Sequence, residues 1–286
     1  MILITGANGH LGGATIDFLL KKNPAVKIKA LVRSEEKGKD LKNKGVEIAV
    51  GDYVDYTSLL KAMKDVDSLL LVSSSTVGNR HRQHANAIKA AKEAGVKHIV
   101  YTSVLKANPN SKFSIAIDHV NTEKEIKASG IDYTIMRNTY YSDFLPMIIG
   151  NAVESGSIYY SAGNTKINFA LRLDMAEANS VVLSDLTNHK NKIYEITSGN
   201  TYSFDDIAAI ISQITGKEIK YVDIPEEVLK ENILKAGMPN DVVEMMSGIA
   251  YSMKVGEFSY TESDLENLLG RKPVDLKEFL KSVYSK

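Results

Sequence analysis

Short, nearly continuous apolar runs recur along the first half of the chain, at residues 2–4, 28–32, 46–50, 69–72, 99–102 and 133–136. Strands buried on both faces carry this pattern, so each run predicts a strand of a parallel sheet. Between the runs, apolar positions switch to helical spacing at about 13–22, 57–63, 84–94 and 118–129. In the third of these, Ala87, Ile88, Ala91 and Ala94 form one stripe, and Gly95 is placed to close the helix. Strand–helix alternation of this kind implies a doubly wound, parallel α/β sheet of the Rossmann type with right-handed crossovers.

From about Tyr140 the rhythm changes. Ser203-Phe-Asp-Asp206 reads as a helix cap with acidic residues in the first turn, followed by Ile207, Ile210, Ile211 and Ile214. Further helical stretches fall near 226–236, 241–255 and 262–269. The pattern predicts a doubly wound α/β domain over 1–140 and a smaller, mostly helical lobe over 141–286, with strands open to sharing between them.

Composition narrows the functional classes. The 286 residues carry 35 Lys plus Arg and 35 Asp plus Glu, a balance unlike that of an electrostatic nucleic-acid binder. With no cysteine, the chain has no disulfides, no Cys-based metal sites and no thiol nucleophile. The start reads as a strand instead of a leader, and the run 69–72 is too short to span a bilayer. A cytoplasmic protein without a membrane span, monomeric or homodimeric, is expected.

The loop after the first predicted strand carries chemistry. Gly6, Gly9 and Gly12 give the spacing G-x-x-G-x-x-G in Thr5-Gly-Ala-Asn-Gly-His-Leu-Gly12. Such a turn lets the backbone approach a pyrophosphate at a helix start, where free N–H groups and the dipole favour anions. Gly6, Asn8, Gly9, His10, Leu11 and Gly12 are therefore the expected cofactor loop, and a side chain at Gly9 or Gly12 would fill the pyrophosphate space. Arg33 ends the second strand where an acid would bind the ribose of NAD. A cation there suits the 2′-phosphate of NADP, so NADPH is the expected cofactor and NAD stays open. The other reading is a surface arginine in a salt bridge. Asp52, in Gly51-Asp52, could accept from the adenine amino group or simply cap a turn.

These residues belong to a wider likeness. The TGxxGxxG opening, Leu31-Val-Arg33, Gly51-Asp52, the segment Ala94-Gly-Val-Lys-His-Ile-Val-Tyr-Thr-Ser103 and the segment Ser129-Gly-Ile-Asp-Tyr-Thr-Ile-Met-Arg-Asn138 resemble atypical short-chain dehydrogenases of the NmrA-like group. Ser203-Phe-Asp-Asp206, Thr215-Gly-Lys217 and residues 261–271 extend the resemblance over nearly the whole chain. Within the group it is most similar to NAD(P)H:quinone oxidoreductases and triphenylmethane dye reductases. The resemblance implies hydride transfer from NADPH to a quinone or another flat, conjugated small molecule.

The likeness also implies a departure. Short-chain dehydrogenases use Tyr-x-x-x-Lys, and alignment from Ser129-Gly130 puts Ile115 at the Tyr position and His119 at the Lys position. The acid is missing. His119, one turn from Glu123, is left to hold the nicotinamide ribose or donate a proton, or else to lie on the helix surface. Ser73 and Ser103, at strand ends that line the crevice of such sheets, are candidate contacts to nicotinamide or substrate, Ser103 as a catalytic one. Asn138, Tyr140, Tyr141 and Phe144 follow the sixth strand and could wall an acceptor pocket, with Tyr140 a further catalytic candidate; aromatic residues are also ordinary core. His81 and His84 lack companions for a metal site, so no metal is expected. Met238, Met245, Met246 and Met253 read as core filling more than as a substrate lid. The competing classes are an NmrA-like redox sensor that binds NAD(P) without turnover and, less suited to Arg33 and the lost tyrosine, an epimerase with tightly bound NAD.

Overall fold

The computed structural model describes residues 1–76, 78–111 and 113–285. Its first half alternates strands and helices: β1 (Ile2–Ile4), α1 (His10–Lys22), β2 (Ile28–Val32), α2 (Lys39–Asn43), β3 (Glu47–Val50), α3 (Tyr56–Ala62), β4 (Ser68–Leu71), α4 (Arg80–Ala94), β5 (His98–Val104), α5 (Ser114–Ser129) and β6 (Asp132–Asn138). The second half contains β7 (Tyr140–Tyr141), α6 (Leu145–Ile149), α7 (Ala152–Ser155), β8 (Ser157–Tyr160), β9 (Ile167–Ala170), α8 (Arg172–Ser184), β10 (Lys192–Ile196), β11 (Thr201–Tyr202) and α9 (Phe204–Thr215). It closes with β12 (Lys220–Asp223), α10 (Glu226–Lys235), α11 (Asn240–Lys254), α12 (Leu265–Leu269) and α13 (Leu276–Tyr284).

Seven strands form the main sheet in the order β10-β6-β5-β4-β1-β2-β3, all parallel. The order reverses at β1, so a crevice opens beside its C-terminal end, where α/β sheets of this kind bind ligands. One core lies between this sheet and α1, α8 and α12, through Ile4, Ile16, Leu70, Val100, Met175 and Leu265. The other face packs Leu3, Leu71, Ile99 and Tyr101 against α3, α4 and α5. A separate core, including Phe169, Phe204, Ile207, Ile211 and Met253, holds the second lobe.

The elements differ from the sequence pattern in instructive ways. Helices α1, α4 and α5 begin three or four residues earlier than periodicity places them. The second part holds more strands than its helical pattern suggests. β8 pairs with β12, and β9 lies between β7 and β11, all in runs of five residues or fewer. The chain also returns across the expected boundary at 140: β10 extends the main sheet beside β6, and α8 packs on α1. Met253 is fully buried and Met238 is half exposed, so the methionines share no single role. Among the described residues, no helix is long and apolar enough to cross a membrane.

Candidate functional site

The glycine turn lies at the crevice. Gly6 leaves β1 with φ +58°, a left-handed conformation that suits glycine, and Val72 packs 3.2 Å from where a Cβ would sit. The Gly9 N–H donates to the Gly6 carbonyl at 2.8 Å, closing the turn, and Gly13 N–H donates to Gly9 at 2.9 Å, starting α1. Gly9 caps α1 without any side-chain hydrogen bond. The first amides of the helix, at His10, Leu11 and Gly12, thus have no side-chain cap, and they suit an anion. The glycines divide the work. A Cβ on Gly9 would lie 3.1 Å from Gly6 O, whereas one on Gly12 would lie 2.4 Å from that oxygen and 2.8 Å from its carbon. Gly12 therefore lets helix and strand approach. The expectation that its replacement would only block a pyrophosphate is corrected, since a side chain there collides with backbone. Gly13, which the spacing did not single out, does the same more gently, with a Cβ 3.1 Å from Ala7 O. Asn8 donates to the Lys37 carbonyl at 2.6 Å and ties this loop to the one after β2. His10 is exposed at the rim, and Leu11 is buried in the core below it.

Arg33 and Asp52 stand together at the ends of β2 and β3. The Arg33 side chain is 72% exposed and its Nε lies 3.6 Å from Asp52 Oδ2. A pair this exposed and loose is worth about 0–1 kcal/mol and leaves the guanidinium available to an anion. Asp52 also accepts the Val54 N–H at 3.1 Å, so it does cap a turn. Ser73, after β4, anchors its own N–H on Thr102 Oγ1 at 2.8 Å.

Beyond β6 the aromatic residues form a wall. The Tyr140 ring sits 5.8–6.2 Å from those of Phe144, Phe169 and Phe258. Tyr141 stacks on Phe144 at 5.8 Å, and the Arg172 guanidinium lies over both rings, held by Asp143. Asn138 donates to the Tyr141 hydroxyl at 3.4 Å, while its Oδ1 is buried without a partner. Burial pushes the Tyr140 and Tyr141 phenols upward, so both are neutral near pH 7. Beside this wall a cavity of about 290 Å³ opens between the end of β5 and the start of α5, lined by Leu105, Phe113, Ala116, Phe258 and Tyr260 among others. Its size and mixed lining approach those of small-molecule sites.

The largest revision concerns α5. His119 is not a surface histidine. It is 5% exposed, and its Nδ1 lies 2.6 Å from the Tyr101 hydroxyl. Desolvation, assisted by the positive charge of Arg80, drives its pKa well below the ordinary histidine value. A cationic His119 acting as a neutral-pH acid is thereby excluded as the resting form. Glu123, one turn on, takes other partners. It accepts from Ser103 Oγ at 2.7 Å and from Arg137 Nε and Nη2 at 2.9 and 2.7 Å, and Arg137 reaches on to Glu195 at 2.9 Å. Ser103 is thus turned onto α5 and engaged by a buried carboxylate, which corrects its reading as a catalytic contact. Ile115 begins the same face of α5 and supplies no proton donor.

The sequence reading missed Tyr101, Tyr53 and Arg80. The Tyr53 hydroxyl donates within reach of Thr5 Oγ1 and the Val72 carbonyl, both at 2.6 Å. Its ring meets that of His84, which meets that of Tyr101. Arg80 starts α4, donates from Nε to the Ser74 carbonyl, and leaves Nη1 buried without a hydrogen bond. The one available signal was a tyrosine in the buried strand β5, directly after Ile99 and Val100. His81 and His84 part company: His81 pairs with Glu125 at 2.8 Å and His84 turns inward. Among the described residues, no three His, Asp or Glu side chains cluster as metal ligands do.

Residues 1–282 match the NmrA-like family. The chain is 35% identical to quinone oxidoreductase 2 of Escherichia coli over 285 residues, covering 100% of this chain and 99% of that one. The crystal structure of the NADPH-dependent quinone oxidoreductase from that organism, complexed with NADPH, superposes with a TM-score of 0.95 over 100% of both chains. That of Citrobacter sp. triphenylmethane reductase complexed with NADP(H) does so at 0.94, with 38% identity over 99% of each. An NAD(P)H azoreductase of Xenophilus azovorans is 29% identical over 249 residues, 86% of this chain and 85% of that one. The chain belongs to the NmrA-like family.

Proposed function

With that membership as premise, we propose that the protein is an NADPH-dependent oxidoreductase of the cytoplasm, alone or as a homodimer, that reduces quinones or similarly flat, conjugated acceptors. The observation that carries this reading is the pairing of an uncapped helix start on a glycine turn with an exposed cation at Arg33. Backbone amides at His10, Leu11 and Gly12 suit the pyrophosphate. Arg33 suits the 2′-phosphate, Asp52 the adenine, and Ser73 the nicotinamide side of the crevice. The bound nucleotide supplies the hydride. Residues 1–140 carry these groups, and the lobe over 141–286, whose Tyr141 and Phe144 meet Asn138 and Tyr140 at the boundary, covers the acceptor.

The missing acid supports the acceptor class. Hydride on an isolated ketone leaves a localised alkoxide that needs a donor, and Ile115 offers none. On a quinone the charge spreads to the second oxygen, so water can complete protonation. A cationic triarylmethane acceptor is neutralised by hydride and needs no proton. The chain's work is then to bind, orient and exclude water.

Steady-state NADPH oxidation over matched panels of quinones, cationic dyes and simple ketones tests this. Turnover with quinones or dyes and none with ketones is expected. Arg33→Ala is expected to weaken NADPH about 10- to 100-fold while leaving NADH nearly unchanged, the worth of a charge-assisted bond to phosphate. Efficient ketone reduction overturns the mechanism. Tight NADPH binding with no turnover on any acceptor favours the sensor.

A further inference from the structure

We propose that Tyr101 locks His119 as its Nε2–H tautomer, so that α5 offers the bound reactants a neutral N–H donor in place of the missing hydroxyl. The tautomer follows from hydrogen bonds alone; what the donor does rests on the reductase reading.

The inference begins at a group whose direction is fixed. The backbone N–H of Ser74 donates to His84 Nε2 at 3.0 Å. A backbone amide cannot accept, so His84 Nε2 carries no proton. The neutral ring holds its single proton on Nδ1, which lies 2.9 Å from Thr122 Oγ1. Thr122 spends its own proton on the Asp118 carbonyl at 2.8 Å. The Tyr101 hydroxyl has His84 Nδ1 at 3.4 Å and His119 Nδ1 at 2.6 Å. The first already bears a proton. Its other neighbour, Thr122 Oγ1, already faces the His84 Nδ1 proton; we assign the phenol's proton to the 2.6 Å contact, so that His119 Nδ1 accepts.

His119 is neutral for the same reason as His84, whose ring is pushed down to about 3 by burial and by Arg80. A neutral ring with an accepting Nδ1 carries its proton on Nε2. That atom has no hydrogen-bond partner among the described residues. The residue keeps 5% of its surface exposed. His119 shares a helix face with Ile115, where the family pattern would place the acid, and α5 starts against the cavity at Phe113 and Ala116.

An imidazole N–H of this kind is too weak an acid to give up its proton at neutral pH. It can donate a hydrogen bond to an oxygen: a ribose hydroxyl of the nucleotide, or the acceptor oxygen on which charge grows. The second use stabilises a developing oxyanion as preorganised donors do. Tyr101 is then a positioning residue, acting through His119.

Nitrogen-15 NMR of the histidine rings in the whole protein reads the tautomers directly. Expected are an unprotonated Nδ1 and a protonated Nε2 at His119, and the reverse at His84. Tyr101→Phe should release His119 into a mixture of tautomers while His84 keeps its own. A protonated Nδ1 at His119 in the parent protein, with Tyr101 turned to Thr122, overturns the proposal, as does a Tyr101→Phe spectrum in which His119 is unchanged. Kinetics then separate the two oxygens. If the donor serves the acceptor, Tyr101→Phe lowers quinone kcat about two- to tenfold and spares a cationic dye, which has no oxygen taking charge. If it serves the ribose, the Kd for NADPH rises by a similar factor and both acceptors suffer. A protein that shows the tautomers but oxidises NADPH with no acceptor keeps this assignment and loses the reductase reading.

Discussion

The glycine turn and the polar layer under α5 both present polar groups near the crevice, and they are built in opposite ways. The turn uses backbone amides, with side chains removed to expose them. Its geometry is fixed by residues within eight positions of each other, from Gly6 to Gly13. The layer uses side chains drawn from β5, α4, α5 and the loop after β4, and it seals most of them from water. It is itself split. Around His119 the imidazole rings are neutral, because desolvation and the nearby Arg80 guanidinium both disfavour a further positive charge. One turn later Glu123 keeps a buried neighbourhood of ions, because Arg137 meets it with two hydrogen bonds. Position along the helix does not decide charge; the partner on the facing strand does.

The sharpest way to break this contrast is Arg137→Met. Glu123, with its side chain 4% exposed, then loses its main countercharge. Removing one partner of a buried ion pair costs about 3–5 kcal/mol. Urea unfolding should show a loss of that order, and a loss under about 1 kcal/mol would mean that Lys127, 3.7 Å away, suffices.

The turn is tested next by paired substitutions. Gly12→Ala brings a Cβ to 2.4 Å from the Gly6 oxygen, so the helix must shift, at about 2–3 kcal/mol as overpacking costs run. Gly9→Ala has an ordinary φ of −82° and meets that oxygen at 3.1 Å, a tight but lesser contact, so it should cost clearly less stability than Gly12→Ala while NADPH affinity falls. Calorimetric titration beside thermal unfolding separates the two. Equal stability of both variants would contradict the close approach at Gly12.

The smallest effect is a pH slope. His84 binds its proton only near pH 3 when folded and near 6.5 when unfolded. The unfolded chain therefore takes up the proton first as pH falls. The stability contribution is complete above pH 6.5 and is lost progressively toward pH 3, at about 1.4 kcal/mol per pH unit. His119, shifted in the same direction, adds a slope of the same sign. Denaturation curves between pH 7 and 5 should flatten by one proton in His84→Asn, and an unchanged slope would place His84 in water.

The sheet, its parallel strands, the glycine turn and the cation at Arg33 were legible in the sequence. Each depends on neighbours along the chain: alternating apolar runs, glycines at turn spacing, a charge at a strand end. The short strands β8, β9, β11 and β12 were not, because polar residues such as Ser157, Asn168, Thr201 and Lys220 interrupt their apolar runs and only pairing makes them strands. The roles of His119, Ser103 and Tyr101 were hidden for a related reason. Sequence placed His119 and Glu123 on one helix face. Only the fold set Tyr101 opposite the first and Arg137 opposite the second, and burial with those partners decided that one is neutral and the other charged.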